Sequence, residues 1–343
     1  MRLIQFFISG SGRRVGVVEG NTVFDLTGIQ PGWDSVYGIF TEALHSGQQL
    51  DEHISGINFH QSPRTLDYQT LLTQRPGERT WLLPPLDHPD PAHCIVAGTG
   101  LTHLGSAAQR NSMHTGTEEV HKKTDSRKMF EMGLERGKPG YGERGVQPEW
   151  FYKGTGSILR GHNDFLDIPA FCEDCGEEPE IAGCYVTGTD GVPYRLGFAI
   201  GNEWSDHITE KVNYLWLAAS KLRTCAIGPE LVTDQTFKDI RGYCRIQRGD
   251  TVIYDSDELL TGEDNMSHSL ANLEDHYFKF PQFRVPGDVH IHFFGTMKLS
   301  TGSRDAFNNN DQVRIHFEGM GGDLVNYVKR VPAAATPVTV RKG

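Results

Sequence analysis

Apolar positions in this chain recur in short runs, closed off by glycine, proline, asparagine or aspartate, rather than in long helical stripes. Arg14-Val15-Gly16-Val17-Val18 and Thr22-Val23-Phe24-Asp25-Leu26 follow an opening run that ends at Gly10, and similar runs return at Trp150-Phe151-Tyr152, Ile181 to Val186, Tyr194 to Ile200, Thr251 to Tyr254, Val289 to Phe294 and Val313 to Phe317. Runs of this length and punctuation predict strands. Helical spacing is confined to Glu118 to Met132, Ile208 to Ala219 and Asn265 to Tyr277. Between Leu83 and Pro91 four prolines stand in nine residues, which forbids both helix and ladder pairing there. The pattern predicts an α+β, β-dominated chain with a small β-rich N-terminal domain over residues 1–85 and a larger catalytic domain over residues 86–343. The polar stretch of about 103–147 is too long for a plain loop and reads as a lid carrying a helix.

Composition sharpens this. Thirty-nine glycines among 343 residues fit many turns and more sheet than helix. A net charge of -11 opposes binding to nucleic acid or to an anionic membrane. No segment has the roughly 20 continuous apolar residues that span a bilayer, and no export signal precedes the first run, so a cytoplasmic protein is expected. The six cysteines are sparse, and Cys172-Glu173-Asp174-Cys175 lacks the second pair that a structural zinc site needs.

Glu178-Pro179-Glu180 places two carboxylates at i and i+2, on one face of a strand. Past the turn Thr187-Gly188-Thr189-Asp190-Gly191 a second strand runs from Tyr194 into Gly201-Asn202-Glu203, and a hairpin would bring Glu203 beside the first pair. Three carboxylates without thiolate or imidazole suit magnesium, manganese or calcium. The bland alternative is a solvated acidic hairpin. A rival metal reading uses His290-Ile291-His292 with His268 and His276, although fifteen histidines make such pairs common by chance.

The string Gly197-Phe198-Ala199-Ile200-Gly201-Asn202-Glu203-Trp204-Ser205-Asp206-His207 resembles the Gly-aromatic-x-x-x-Asn-Asp-x-Ser-x-Arg segment of the fumarylacetoacetate hydrolase superfamily. His103 sits where that family has a catalytic histidine. Trp150-Phe151-Tyr152-Lys153-Gly154 resembles its run ending in an active-site lysine, and Glu178-x-Glu180 its metal pair. Ser220-Lys221 with Gly228-Pro229-Glu230-Leu231-Val232, then Pro286-Gly287-Asp288 and Gly295-Thr296, follow in the family's order. The resemblance covers about residues 93 to 300. It implies the family's mixed β-sheet roll, a homodimer, and a magnesium site, with manganese as the alternative, on Glu178, Glu180 and Glu203. It further implies Lys153, His103 and Lys221 as catalytic residues, and Thr296, Gly295, Ser106 and Asn202 as substrate contacts. Three departures matter. Glu203 replaces the usual aspartate and His207 the usual arginine, while Ser106 stands where the hydrolases carry the glutamate that pairs with the histidine.

Within the superfamily, Thr99-Gly100-Leu101-Thr102-His103, Gln147-Pro148-Glu149-Trp150-Phe151-Tyr152-Lys153 and Met266-Ser267-His268-Ser269-Leu270-Ala271-Asn272 are most similar to the 2-keto-3-deoxy sugar-acid dehydratases of pentose breakdown. That branch implies dehydration of a 2-keto-3-deoxy-pentonate, derived from xylonate or arabinonate, to 2-ketoglutarate semialdehyde through a magnesium-stabilised enolate. No attacking water is needed, which suits the missing partner of His103. Lys153 is then either the C3 base or a partner of the substrate carboxylate, and His103 or a lid glutamate the proton donor. Two alternatives stay open. One is a hydrolase cleaving a carbon–carbon bond of an acylpyruvate or a 2,4-diketo-3-deoxy sugar acid, with Glu118 or Glu119 completing the dyad. The other is a sugar-acid binding protein without turnover.

Overall fold

The computed structural model describes residues 1–103, 105, 124–333 and 336–343. Eighteen strands occur among them. The first six are β1 (Arg2–Ile8), β2 (Gly12–Glu19), β3 (Thr22–Asp25), β4 (Thr65–Asp67), β5 (Thr80–Leu82) and β6 (Cys94–Gly98). The next six are β7 (Phe151–Thr155), β8 (Leu159–Arg160), β9 (Phe165–Ile168), β10 (Pro179–Thr187), β11 (Pro193–Asn202) and β12 (Cys225–Val232). The last six are β13 (Ile240–Arg248), β14 (Thr251–Asp255), β15 (Leu259–Thr261), β16 (Val289–Phe293), β17 (Gln312–Phe317) and β18 (Leu324–Arg330). Strand outweighs helix, as the runs predict.

A 12-stranded sheet has the order β4-β3-β2-β1-β12-β11-β10-β16-β6-β7, with β5 on β1 and β8 on β12, and a 6-stranded sheet has β14-β13-β17-β18-β9, with β15 on β13. The larger sheet runs unbroken across residue 85, because Arg2 and Leu3 of β1 pair with Val232 and Leu231 of β12. The first 85 residues also hold three helices among their strands, α1 (Val36–His45), α2 (Leu50–Ser55) and α3 (Tyr68–Thr73).

Strand β10 is buried along its whole length, because it has a core on each side. Ala182, Cys184 and Val186 join Val36, Ile39 and Phe40 of α1, whereas Ile181 and Tyr185 face Ile240, Ile246, Ile315 and Phe317 of the smaller sheet. That two-sided burial is why Ile181 to Val186 reads as a nearly continuous apolar run.

Among the described residues, further helices are α4 (Asp125–Arg136), α5 (His207–Val212), α6 (Leu217–Ser220) and α7 (Leu270–Phe278). Helix α4 lies in the described part of the expected lid; Ser106, Glu118 and Glu119 lie outside the described residues. The single helix expected over Ile208 to Ala219 is instead broken at Asn213, whose extended backbone carries its side-chain oxygen onto the Leu215 amide and starts a separate 3₁₀ turn. The expected helix from Asn265 begins only at Leu270, capped by Ser269. No helix among the described residues is long and apolar enough to cross a membrane. The six cysteines are free and buried.

Candidate metal centre

The β10–β11 hairpin forms with Pro179 opposite Asn202 and Glu180 opposite Gly201, and the Glu203 amide donates to the Glu178 carbonyl at 3.0 Å. This register brings one carboxylate oxygen from each of Glu178, Glu180 and Glu203 within 4.8 Å of the others, all three residues buried. Like charges packed so closely out of water need compensating cations. Lys221 supplies one, its Nζ contacting Glu178 and lying 2.6 Å from Glu203 Oε2. Lys153 supplies the other, paired with Glu203 Oε1 and donating to the Trp204 carbonyl at 2.6 Å and the Lys221 carbonyl at 3.0 Å. Those three acceptors match the three protons of an ammonium. Lys153 therefore faces Glu203 and main-chain oxygens rather than standing as an open base.

Further groups orient the carboxylates. Ser205 Oγ donates to Glu203 Oε1 at 2.9 Å. The Gly295 amide donates to Glu180 Oε2 at 2.6 Å, in a backbone with φ of 93° that favours glycine. His207 Nε2 meets Glu178 Oε1 at 3.1 Å while its Nδ1 meets Thr301 Oγ1 at 2.9 Å. Burial drives the Glu180 carboxyl well above the ordinary carboxylate range, and the charges of Glu178 and Glu203 add to the rise. Burial also raises Glu203, with Glu178 adding and Lys153 and Lys221 opposing. At Glu178 burial acts the same way, but Lys221 and then His207 outweigh it and hold that carboxyl well below its usual value. An oxygen-only set with one carboxyl so crowded by like charge fits a divalent cation.

Of the other expected residues, Asn202 is fully buried beside Glu203, and neither of its side-chain amide atoms has a hydrogen-bond partner among the described residues. Thr296 is buried and donates to the Lys298 carbonyl at 3.2 Å. His103 lies between Thr102 Oγ1, 3.0 Å from Nδ1, and Thr261 Oγ1, 3.2 Å from Nε2, and burial lowers its pKa to about 4. The rival histidines do not form a metal group with a third ligand among the described residues. His290 is held by Tyr277 and Thr187, His292 packs 4.6 Å from the Tyr277 ring, and His268 bonds Asn272. Sequence reasoning missed the roles of Ser205, Thr261 and Thr301. Ser205 lay inside the recognised segment, whereas Thr261 meets a residue 158 positions away and carries no local signal.

No protein-family model matches the chain. A 176-residue stretch is 27% identical to 2-dehydro-3-deoxy-D-arabinonate dehydratase of Saccharolobus solfataricus, covering 51% of this chain and 51% of that protein. The match thus spans about half the length of the curated relative. Among solved structures, the apo form of 2-keto-3-deoxy-D-arabinonate dehydratase superposes with a TM-score of 0.67 at 20% identity, covering 97% of this chain and 100% of that one. The same figures hold for that enzyme complexed with magnesium and 2,5-dioxopentanoate. A fumarylacetoacetate hydrolase from Exiguobacterium antarcticum superposes with a TM-score of 0.61 at 17% identity, covering 96% of this chain and all of the other. The two-sheet architecture is the fumarylacetoacetate hydrolase fold, and this chain carries it.

Proposed function

We propose that this chain is a divalent-metal-dependent hydro-lyase that dehydrates a 2-keto-3-deoxy-pentonate to 2,5-dioxopentanoate, the 2-ketoglutarate semialdehyde. The carrying observation is the buried triad of Glu178, Glu180 and Glu203 at the end of the β10–β11 hairpin, two of its members held by lysines. The sugar-acid substrate is taken from the name of the half-length relative and from the magnesium and 2,5-dioxopentanoate complex of the structural neighbour. Magnesium is accordingly the cation of choice. Assembly as a homodimer and a cytoplasmic location belong to the same reading and rest on the resemblance.

A cation held by the three carboxylates supplies Lewis-acid stabilisation for the negative charge that develops on a 2-keto acid when its C3 proton leaves. The chain's own groups do the rest. Lys221 favours the charged form of Glu178, and Lys153 and Lys221 together hold Glu203 in place. The Gly295 amide fixes one oxygen of Glu180, one of the three carboxylates that would hold the cation. Asn202, whose side-chain amide has no partner among the described residues, is the group we assign to the substrate's carboxylate or carbonyl oxygens. His103, buried and neutral, moves the proton.

The test is incubation with magnesium and each stereoisomer of 2-keto-3-deoxypentonate, beside an acylpyruvate, scoring 2,5-dioxopentanoate against pyruvate. Semialdehyde that disappears with a chelator, and falls at least about 100-fold in Glu180→Gln, is the expected result. Pyruvate instead would mark carbon–carbon hydrolysis, and tight binding without product would mark a binding protein.

A further inference from the structure

We infer that Thr102 and Thr261 are positioning residues that hold His103 in a single tautomer, with the proton on Nδ1 and the lone pair on Nε2. The inference deepens the dehydratase reading and rests on it for its catalytic meaning. Thr102 Oγ1 lies 2.8 Å from the Phe294 carbonyl oxygen and 3.0 Å from His103 Nδ1. A hydroxyl has one proton, and a carbonyl can only accept, so that proton goes to Phe294. Thr102 then offers the imidazole a lone pair, and Nδ1 must bring the hydrogen. On the far edge of the ring Thr261 Oγ1, 3.2 Å from Nε2, donates to the nitrogen left bare.

The arrangement is pinned on several sides. His103 is 1% exposed, and a ring that stays neutral divides one proton between two nitrogens. The Thr102 carbonyl accepts from the Ser267 amide at 2.8 Å. Gly295 packs so closely that a Cβ there would stand 2.3 Å from Thr102 Oγ1. Because Phe294 accepts from Thr102 and the next residue, Gly295, donates to Glu180, two adjacent residues register the imidazole against the carboxylate triad.

The tautomer decides the direction of proton flow. His103 was expected as the donor to the departing hydroxyl, but in this form it begins as an acceptor. The substrate C3–H bond breaks, the Nε2–H bond forms, and the electron pair stays with the substrate. The same proton can then leave with the C4 hydroxyl as water, while the Thr261 hydroxyl turns to accept from Nε2–H in between.

Long-range proton–nitrogen correlation spectra of the ¹⁵N-histidine-labelled chain read the tautomer directly, with the His103 signals identified by their loss in His103→Gln. The expected spectrum has a protonated Nδ1 and a bare Nε2. Thr102→Val should move the proton toward Nε2, and Thr102→Ser should leave it in place. Thr261→Val, the fallback should Thr102→Val not fold, should shift the Nε2 resonance without moving the proton. A wild-type proton on Nε2, no response to Thr102→Val, or a proton that moves in Thr261→Val overturns the inference. In turnover, Thr102→Val should lower kcat about 10–100-fold with little change in KM, and Thr102→Ser should restore it. Absence of turnover by the wild type on every 2-keto-3-deoxypentonate would sink the dehydratase reading while leaving the tautomer measurable.

Discussion

At the scale of single residues, the centre is a charge-balancing problem solved with two lysines. Removing one partner of a buried pair leaves the other uncompensated, which typically costs about 3–5 kcal/mol. Lys153→Met should therefore lower the urea midpoint of the metal-free protein sharply, and added magnesium should recover part of the loss by restoring positive charge beside Glu203. A urea midpoint of Lys153→Met that is the same in metal-free buffer and in magnesium would show that the cation does not bind there. His207 acts one step further out, aiming Glu178 through Nε2 while Thr301 holds Nδ1. His207→Phe is expected to weaken magnesium binding about 10–100-fold in calorimetry, with His207→Gln retaining part of the affinity. Equal affinities in both variants would reduce His207 to a packing role.

At the scale of elements, the hairpin delivers the carboxylates only because its strands lie close against their neighbours. Gly201, opposite Glu180, faces the Phe293 ring of β16, where an added Cβ would stand 2.5 Å from a ring carbon. Gly201→Ala should cost about 1–3 kcal/mol by overpacking and displace the end of β11 that carries Glu203. The checks are a lowered unfolding midpoint and a weakened magnesium isotherm in the same variant; a loss of stability with affinity intact would separate the strand packing from the site. The hairpin was legible from its apolar runs, its glycine turn and the i, i+2 glutamates. The break at Asn213 was not, since Ile208 to Ala219 keeps helical spacing while a single side-chain bond to the Leu215 amide diverts the backbone.

At the scale of the whole molecule, two extensive cores bury histidines as well as apolar side chains. Burial lowers His103, His162 and His268 to about 4, and His290 and His292 to about 3, from an ordinary 6.5. The unfolded chain takes up protons below 6.5 that the folded chain refuses, so stability present above that pH is lost as pH falls toward 4. For His162 alone the loss approaches on the order of 3 kcal/mol. Thermal melts of the metal-free protein should drop steeply between pH 6.5 and 4, and His162→Gln should flatten that slope; a melting temperature level across this window would count against neutral burial. The ends of the chain are joined just as deeply. Glu230 receives Arg2, the Tyr68 hydroxyl and the Gly322 amide, so segments far apart in sequence meet on one carboxylate.

Strand periodicity, the acidic pair and the order of motifs are local properties, written in neighbouring residues, and for that reason the sequence alone determined the β-dominated fold, the hairpin and the triad. Long-range register is not written locally. Only the tertiary structure joined β1 to β12, turned Lys153 toward Glu203, and set Thr261 against a histidine far earlier in the chain. The physical reason is that hydrogen-bond partners and proton positions depend on which distant backbone closes around a buried group, and burial is decided only when the whole chain has packed.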